Sequence, residues 1–419
     1  MVKELSVRLQ GLQVGILRLV KGKMEFTYDS ATQTPISLSL PLQKESFKEK
    51  ACRAFFGGLL PENPNIRELL AKKYNINVND DFKLLEQIGR DCAGALSFHK
   101  IEEPQKLQQL IKIEGKVLSD QELKKYIEEL PYRPYMGKRL SLAGAQEKTA
   151  VCVIDGEIAL PNDNVPTTHI IKTALPKYRQ SIENEYICMK AAKKIGLDVA
   201  KVEIRKVDNL EFLLVERFDR FLDEYCDGSQ SFNDCEACNE CTNHQKKYCL
   251  RMERVLQEDF AQSLGVQARD KYKVTFKDCL KILNQTSTPA NAKLKFVKQV
   301  IFNYLIGNTD AHAKNFSIYL DVNNFISLTP AYDLLCSSVY DCDQRIAMKI
   351  GKAKFYTDVT EKDWEIFAQD LDISSKLVKS ELERQKQQLP KIIEQLATNT
   401  NSEIGYEILD YIRTSQFCI

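Results

Sequence analysis

The chain has 419 residues and a net charge of +1, from 59 basic and 58 acidic residues. Its 43% hydrophobic and 28% charged content is that of an ordinary globular protein with about two or three domains. The charge balance excludes a chain that coats nucleic acid by bulk electrostatics, and no apolar run is long enough for a bilayer span. The first residues also lack the apolar core of a signal peptide, so we expect a cytoplasmic protein.

The first 105 residues are predicted to form a small α+β domain. Alternating or apolar stretches that indicate strands lie at 7–9, 14–20, 24–28 and 36–40. Helical patterns at 65–74 and 81–89 are followed by a further predicted strand at 94–98. The charged stretch 100–117 reads as a linker. Ser119 and Glu122 then form a capping box for a helix that runs to Glu129.

The next hundred residues follow the order of the N-terminal lobe of a protein kinase. A small-residue loop is followed by three strands, a helix and a hairpin, at 141–148, 149–154, 157–160, 168–173, 181–195, 202–207 and 211–215. Gly196 is a good left-handed cap for the helix. A phosphate loop, an ATP-binding lysine and the helix that pairs with it occur in the same order in protein kinases.

The loop at 141–148 is a candidate phosphate-binding site. It contains Ala143, Gly144, Ala145 and Gln146, with Lys148 at its end. Small residues let backbone N–H groups approach phosphate oxygens. The loop has one glycine and is not a Walker loop, so a surface turn before a hairpin is the alternative.

Lys172 stands in an otherwise apolar strand, from which its side chain would point into an ATP cleft. A buried ammonium group needs an acidic partner, and the following helix offers Glu183 and Glu185. We favour Glu185, although spacing alone leaves both open. An exposed lysine on an edge strand is the alternative.

Five of the 13 cysteines cluster between 226 and 249, whereas the other eight are scattered singly through predicted strands and helices. The scattered thiols indicate a reducing cytosol. The three-residue intervals in the cluster suit a tetrahedral Zn²⁺ site. Its candidate ligands are Cys235, Cys238, Cys241 and Cys249, with His244 or Cys226 as substitutes for the last. An iron–sulfur ligand run and a flexible insertion with free thiols are the alternatives.

Helices predominate from residue 257 onward, at 257–264, 274–284, 291–306, 361–370, 375–396 and 402–414.

Between these predicted helices, Asp310 and Asn315 have the spacing of the Asp and Asn in a protein-kinase catalytic loop. A predicted hairpin then returns the chain to Asp333. Asp310 would accept the proton of an attacking hydroxyl, and Asn315 and Asp333 would bind Mg²⁺. A capping Asp and a turn Asn with no joint role are the alternative, which the upstream order of elements disfavours.

Several longer stretches resemble the HipA family of bacterial toxin kinases. They lie at 37–42, 58–61, 88–91, 143–148, 168–172, 184–186, 215–219, 257–259, 309–317 and 328–333. The resemblance covers essentially the whole chain. The cysteine-rich insertion at about 222–250 departs from the family pattern.

The resemblance implies an α+β, protein-kinase-like fold of two lobes, with a β-rich N-lobe, a helical C-lobe and an additional small N-terminal α/β subdomain. It also implies an ATP- and Mg²⁺-dependent serine/threonine kinase that is the toxin of a toxin–antitoxin pair. Its partner would be a small HipB-like DNA-binding antitoxin. Its substrate would be a translation component such as an aminoacyl-tRNA synthetase, glutamyl-tRNA synthetase in the type member.

The roles of the family fall on particular residues of this chain. The catalytic base falls on Asp310, the metal ligands on Asn315 and Asp333, and the autophosphorylated serine on Ser141. The implied ATP site comprises Ala143, Gly144, Ala145, Gln146, Lys148, Lys172, the hinge residues Glu216, Arg217 and Phe218, and His312, Lys314 and Tyr332. His312 is also interpreted as a side chain that braces the loop rather than as a base.

The predicted domains are a HipA-type subdomain at 1–105, a kinase N-lobe at 106–218, the cysteine-rich insertion at 219–254 and a helical C-lobe at 255–419. Two other functions are compatible with the sequence. One is a catalytically silent corepressor that binds a DNA-binding antitoxin, and the other is a small-molecule kinase on the same scaffold. The intact set of Lys172, Asp310, Asn315 and Asp333 argues against the silent corepressor.

Overall fold

The computed structural model describes residues 3–105, 111–130, 148–162, 165–224, 250–321 and 325–415, in which strands and helices are mixed. The strands are β1 (Lys3–Leu9), β2 (Leu12–Val20), β3 (Lys23–Tyr28), β4 (Leu96–His99), β5 (Ile111–Lys112), β6 (Gly115–Val117), β7 (Lys148–Ile154), β8 (Glu157–Pro161), β9 (His169–Thr173), β10 (Val202–Val207), β11 (Leu210–Glu216), β12 (Arg220–Glu224), β13 (Leu250–Arg254), β14 (Gln257–Asp259), β15 (Ser317–Leu320) and β16 (Ile326–Leu328). The helices are α1 (Glu49–Phe56), α2 (Pro64–Tyr74), α3 (Asp81–Ile88), α4 (Asp120–Glu129), α5 (Ser181–Lys194), α6 (Phe260–Ser263), α7 (Phe276–Leu283), α8 (Pro289–Leu305), α9 (Glu361–Asp370), α10 (Ser375–Thr400) and α11 (Glu403–Thr414). Of the helices just given, none has the length and apolar character needed to cross a membrane.

The first sheet is antiparallel, with the strand order β3-β2-β1-β4, and α1 and α3 pack against it. Alternation in β3 places Met24, Phe26 and Tyr28 in the core. The ring of Phe56 on α1 meets Phe26 and Phe98 edge to face, with centroids 5.3 and 5.8 Å away. These aromatic contacts join helix and sheet into one core.

The strand predicted at 36–40 is wrong. Ser37 and Leu40 form only an isolated bridge there. Ile36 and Leu40 are buried, as the alternating pattern predicts. The backbone N–H groups of this stretch, however, donate hydrogen bonds to side chains instead of to a neighbouring strand. The Tyr28 hydroxyl accepts the N–H of Ile36 at 2.9 Å.

The second sheet has the strand order β10-β11-β9-β7-β8-β6, antiparallel throughout, and α5 packs against β10 and β11. The strands, the helix and the left-handed Gly196 cap predicted in this region are confirmed. The linker predicted at 100–117 is wrong in part, because β5 and β6 lie within it. Gly115 lets β6 approach β8, since a Cβ at this position would lie 2.3 Å from the carbonyl oxygen of Leu160.

Helices α7 to α11 share a core that includes Phe296, Tyr304, Trp364 and Phe367. The predicted helices α7 to α11 are confirmed with small shifts of their ends. The helix predicted at 257–264 is wrong over its first three residues, which form β14 and pair with β15. The helical turn begins only at Phe260, because the Asp259 carboxylate accepts the N–H of Gln262 at 2.9 Å and caps it there.

Candidate active site

A cleft of about 1530 Å³ is bordered by β7, β9, α5, the segment after β11, β14 and the loop 308–315. Every described residue of the predicted site lines it. These residues are Lys148, Lys172, Glu185, Glu216, Arg217, Phe218, Asp310, His312, Lys314, Asn315, Tyr332 and Asp333. Ser141, Ala143, Gly144, Ala145 and Gln146 lie outside the described residues, and so do Cys235, Cys238, Cys241 and Cys249.

Two lysines stand side by side in the cleft. Lys172 on β9 is directly opposite Lys148 on β7 in the strand register. The buried ammonium of Lys172 lies 2.6 Å from Oε1 of Glu185 on α5 and also donates to Oδ1 of Asp333. Burial alone would lower the pKa of Lys172, but Asp333 and Glu185 outweigh it and raise the pKa, so the group stays charged.

Asp333 is the carboxylate that returns to the cleft after β15 and β16. These strands pair antiparallel, as predicted, and carry the chain back from Asn315. Asp333 has φ +53°, a left-handed conformation that Asp tolerates better than most residues. Burial alone would raise its pKa, but Lys172 and Lys148 lower it to about 2. Asp333 is therefore ionised at neutral pH.

The loop that carries Asp310 is held in place at its start, at Gly307 and Thr309. Gly307 has φ +71°, and a Cβ there would lie 2.5 Å from the ring of Tyr411, so only glycine fits. The N–H of Thr309 donates to Oγ of Ser337 at 2.7 Å, and its carbonyl accepts the N–H of Ala347 at 2.9 Å. These bonds make the loop a rigid platform for the side chains that follow.

Asp310 is exposed in the cleft, where its Oδ1 accepts a 2.8 Å hydrogen bond from the Tyr272 hydroxyl. Desolvation by the neighbouring protein atoms raises the pKa of Asp310 above its ordinary value. The hydrogen bond from Tyr272 acts in the opposite direction. Within the described residues, its Oδ2 has no hydrogen-bond partner. A carboxylate so placed is able to accept a proton from a hydroxyl in the cleft.

His312 and Asn315 form a short turn at the end of the loop. The N–H of His312 donates to Oδ1 of Asn315 at 3.3 Å. The His312 ring is buried and packs edge to face on Tyr272 at 5.2 Å. Burial lowers the pKa of His312 to about 3, so the ring is neutral. A neutral ring has no positive charge with which to attract a phosphate group.

Lys314 is buried against the first part of the chain. Its ammonium lies 2.5 Å from Oδ2 of Asp259, 3.2 Å from the carbonyl of Gly58 and 3.7 Å from Oε1 of Glu62. Burial would lower the pKa of Lys314, but Asp259 and Glu62 raise it. A direct contact of this side chain with a nucleotide, as expected from the sequence, would have to compete with these partners.

The three predicted hinge residues differ in what they offer the cleft. The Phe218 ring packs against the Tyr332 ring at a tilt of 30°, with centroids 5.2 Å apart, which forms an aromatic wall. The Arg217 side chain is buried and donates to Asp219 at 2.8 Å, and it lies 3.3 Å from Asp91. Arg217 therefore belongs to a buried ion cluster, and its guanidinium is already bonded to protein groups. Glu216 is partly exposed at the rim.

The ion cluster also contains Arg220 and Arg254, which lie 2.7 and 3.8 Å from Asp91. Burial would raise the pKa of Asp91, but Arg217 and the other two arginines outweigh it and lower the pKa. The cluster joins residues 91–94 to the strands that border the cleft, since Asp219 also accepts the N–H of Gly94 at 2.6 Å.

Sequence reasoning missed three residues of this site, namely Tyr272, Glu62 and Asp259. The segment that contains Tyr272 is rich in charged residues and reads as a solvated face. Asp259 lies in a stretch that matches the HipA family, but the match carries no role for it. Only the folded chain shows that all three line the cleft.

Two protein-family models match this chain, each over a different part of it. The model of the HipA N-terminal domain matches residues 5–99, and that of the HipA-like C-terminal domain matches residues 140–404. This chain belongs to the HipA family. It is 37% identical over 374 residues to a Sinorhizobium fredii protein that bears the name "Putative kinase Y4mE", covering 85% of this chain and 83% of that one.

HipA of Shewanella oneidensis matches this chain in both sequence and structure. The serine/threonine-protein kinase toxin HipA is 28% identical over 365 residues, covering 86% of this chain and 80% of the relative. A chain of the solved toxin–antitoxin complex of HipA, HipB and operator DNA superimposes with a TM-score of 0.79 at 25% identity, covering 98% of this chain and 95% of that chain. The mixed α/β fold is therefore that of HipA.

Proposed function

We propose that this HipA-family protein is an ATP- and Mg²⁺-dependent serine/threonine kinase. The observation that carries the proposal is one cleft in which Lys172 is paired with both Glu185 and Asp333 while Asp310 stays accessible. A lysine tied to a helix glutamate, an aspartate base and a returning metal-binding aspartate are the parts that protein kinases share. In this proposal residues 106–218 form the β-rich lobe, 255–419 the helical lobe and 1–105 an additional subdomain.

The described residues fit a nucleoside triphosphate. Phe218 and Tyr332 supply an aromatic wall, and Val215 and Ile170 add apolar surface suited to a base. The charged Lys172 would hold phosphate oxygens deeper in the cleft, where Asp333 also stands. The loop 141–148 would cover the phosphates.

The described residues also fit Mg²⁺. Asn315 and the ionised Asp333 offer the hard oxygen ligands that Mg²⁺ prefers, and the ion usually takes only one or two protein carboxylates together with phosphates and water. No group of three or more His, Cys, Asp or Glu residues that could hold a metal occurs in the described part of the chain. When bound, Mg²⁺ would neutralise charge on the phosphates.

Asp310 would act as the base of the reaction. It would accept the proton of a serine or threonine hydroxyl while the hydroxyl oxygen forms a bond to the terminal phosphorus of ATP. The bond from that phosphorus to its bridging oxygen breaks, and ADP leaves. Positioning provides most of the rate enhancement in such transfers.

The partners in this proposal follow the relatives. The solved Shewanella oneidensis complex contains HipA, HipB and operator DNA, which supports a HipB-like DNA-binding antitoxin for this chain. A toxin kinase would phosphorylate a component of translation, with an aminoacyl-tRNA synthetase as the leading class. We also propose that Ser141 is autophosphorylated, as the resemblance to the HipA family implies. A phosphate there would repel the phosphates of ATP and switch the kinase off.

Radiolabelled ATP tests the proposal. The wild-type protein with Mg²⁺ should transfer label to Ser141 or to a protein in a translation extract, and Asp310→Asn should not. A phosphoproteome comparison after induced expression would then name the substrate. Absence of label in every fraction, with wild type and Asp310→Asn indistinguishable, would overturn the kinase function.

A further inference from the structure

Glu62 lies in the part of the chain that matches the HipA N-terminal domain, yet it lines the cleft beside the loop 308–315. Its Oε2 accepts a 2.8 Å hydrogen bond from Lys271, and its Oε1 lies 3.7 Å from the ammonium of Lys314. The side chains of Lys271, Lys314 and Glu62 are only 12%, 5% and 16% exposed. Glu62 is thus a largely buried anion held between two largely buried cations.

The two lysines depend on Glu62 to different degrees. Lys314 keeps Asp259 as a second partner at 2.5 Å. Among the residues that the structure describes, Glu62 is the one carboxylate within ion-pair distance of Lys271. Loss of the Glu62 charge would therefore release Lys271 while Lys314 stays anchored, because a buried ammonium without a counterion moves toward water.

Tyr272 directly follows Lys271 in the short 3-10 helix Ala268–Lys273. Tyr272 as a whole residue is 51% exposed, so packing alone does not hold its side chain in one position. Two contacts with the loop do so, the edge-to-face contact with His312 and the 2.8 Å hydrogen bond to Oδ1 of Asp310. Oδ2 of Asp310 is left to face an acceptor hydroxyl.

We propose that Glu62 and Tyr272 are positioning residues for Asp310. Glu62 of the N-terminal domain anchors Lys271, and this anchor places the Tyr272 hydroxyl where it orients the Asp310 carboxylate. The N-terminal domain thereby completes the catalytic site of the other domain. The inference rests on the proposed kinase function. Tyr272 transfers no proton itself, since its hydrogen bond serves to hold the carboxylate in one orientation.

The opposite role for Tyr272 predicts an opposite result. If its hydroxyl occupied the place of the substrate hydroxyl, it would block the base, and removing it would speed the reaction. The two roles therefore differ in the sign of the rate change in Tyr272→Phe.

Steady-state kinetics of Tyr272→Phe and Glu62→Gln measure that sign. We expect kcat to fall about tenfold in each variant, which is the effect of losing one hydrogen bond to a charged group. KM for ATP should stay unchanged, because neither residue belongs to the proposed nucleotide site. Tyr406→Phe and Glu68→Gln, both exposed, are the matched controls and should behave as wild type. A rise in kcat for Tyr272→Phe, or unchanged kcat in both variants, would overturn the proposal.

A second measurement does not depend on kinase activity. The Tyr272 ¹³Cζ resonance, assigned by its loss in Tyr272→Phe, reports the hydrogen bond of the hydroxyl. It should shift in Asp310→Asn and in Glu62→Gln and stay unmoved in Glu68→Gln. An unmoved resonance in Glu62→Gln would refute the role of the N-terminal domain, even for a chain that transfers no phosphate to any substrate.

Discussion

Lys172 on β9 and Glu185 on α5 form a buried ion pair, with 2.6 Å between the ammonium and Oε1 of Glu185. This pair fixes the position of the helix relative to the sheet. Lys172 also contacts Asp333, so one lysine joins three elements of the cleft. The first prediction follows from that double attachment.

Lys172→Met should reduce phosphoryl transfer at least about 100-fold, because the variant loses a preorganised positive charge and leaves Glu185 and Asp333 without the ion-pair partner that they share. Transfer from labelled ATP measures the loss. Lys206→Met, at an exposed lysine with a surface partner, is the control and should retain full activity. Equal activity of the two variants would remove Lys172 from the proposed site.

Asp310→Asn should lower kcat by about 10²–10⁴-fold, the usual effect of removing a general base. ATP affinity should change little, because Asp310 lies on the acceptor side of the cleft in the proposed mechanism. Calorimetric titration with ATP and a transfer assay separate the two effects. Asp358→Asn changes an exposed carboxylate and serves as the control. A loss of ATP binding that matches the loss of activity would contradict the role of a base.

Glu258 should make the protein less stable as pH rises toward neutrality. Burial raises the pKa of this carboxyl from 4.5 to about 7, although it accepts hydrogen bonds from the Leu38 N–H and the Ser263 hydroxyl at 2.9 Å. Below pH 4.5 the group is protonated in both states, and between 4.5 and 7 the unfolded chain alone releases its proton. The free energy of unfolding should therefore fall across this window by up to about 3 kcal/mol.

Urea unfolding of wild type and Glu258→Gln at several pH values checks this slope. The variant carries no titratable group at the site, so its free energy of unfolding should vary less between pH 5 and 8. A parallel pH dependence in the two proteins would show that Glu258 does not titrate in this window.

The buried ion cluster should be important for stability. Asp91→Asn leaves Arg217 and Arg220 with one buried carboxylate, Asp219, between them, and breaking such a buried network costs about 3–5 kcal/mol. Asp208→Asn, which breaks an exposed pair with Lys124, should cost at most about 1 kcal/mol. Denaturant unfolding compares the two variants. Similar small effects of both would mean that the cluster contributes specificity rather than stability.

Much of the fold is predictable from the sequence because its signals are local. Period-two alternation marked β3, and the Ser119 capping box marked the start of α4, where the hydroxyl accepts the N–H of Glu122 as expected. The strand predicted at 36–40 failed for a reason that no local pattern contains. Its backbone groups bond to side chains such as Glu258, which is 220 residues away from Leu38.

The sequence by itself determined the residue types of the cleft, the order of the elements that carry them and the similarity to the HipA family. Tertiary structure decided which charges meet. It made Glu185 rather than Glu183 the partner of Lys172 and placed Arg217 in a buried ion cluster. It also brought Glu62 to Lys271 and Tyr272 to Asp310. These choices depend on burial and on contacts between distant segments, because a charge removed from water takes the partner that packing brings within reach.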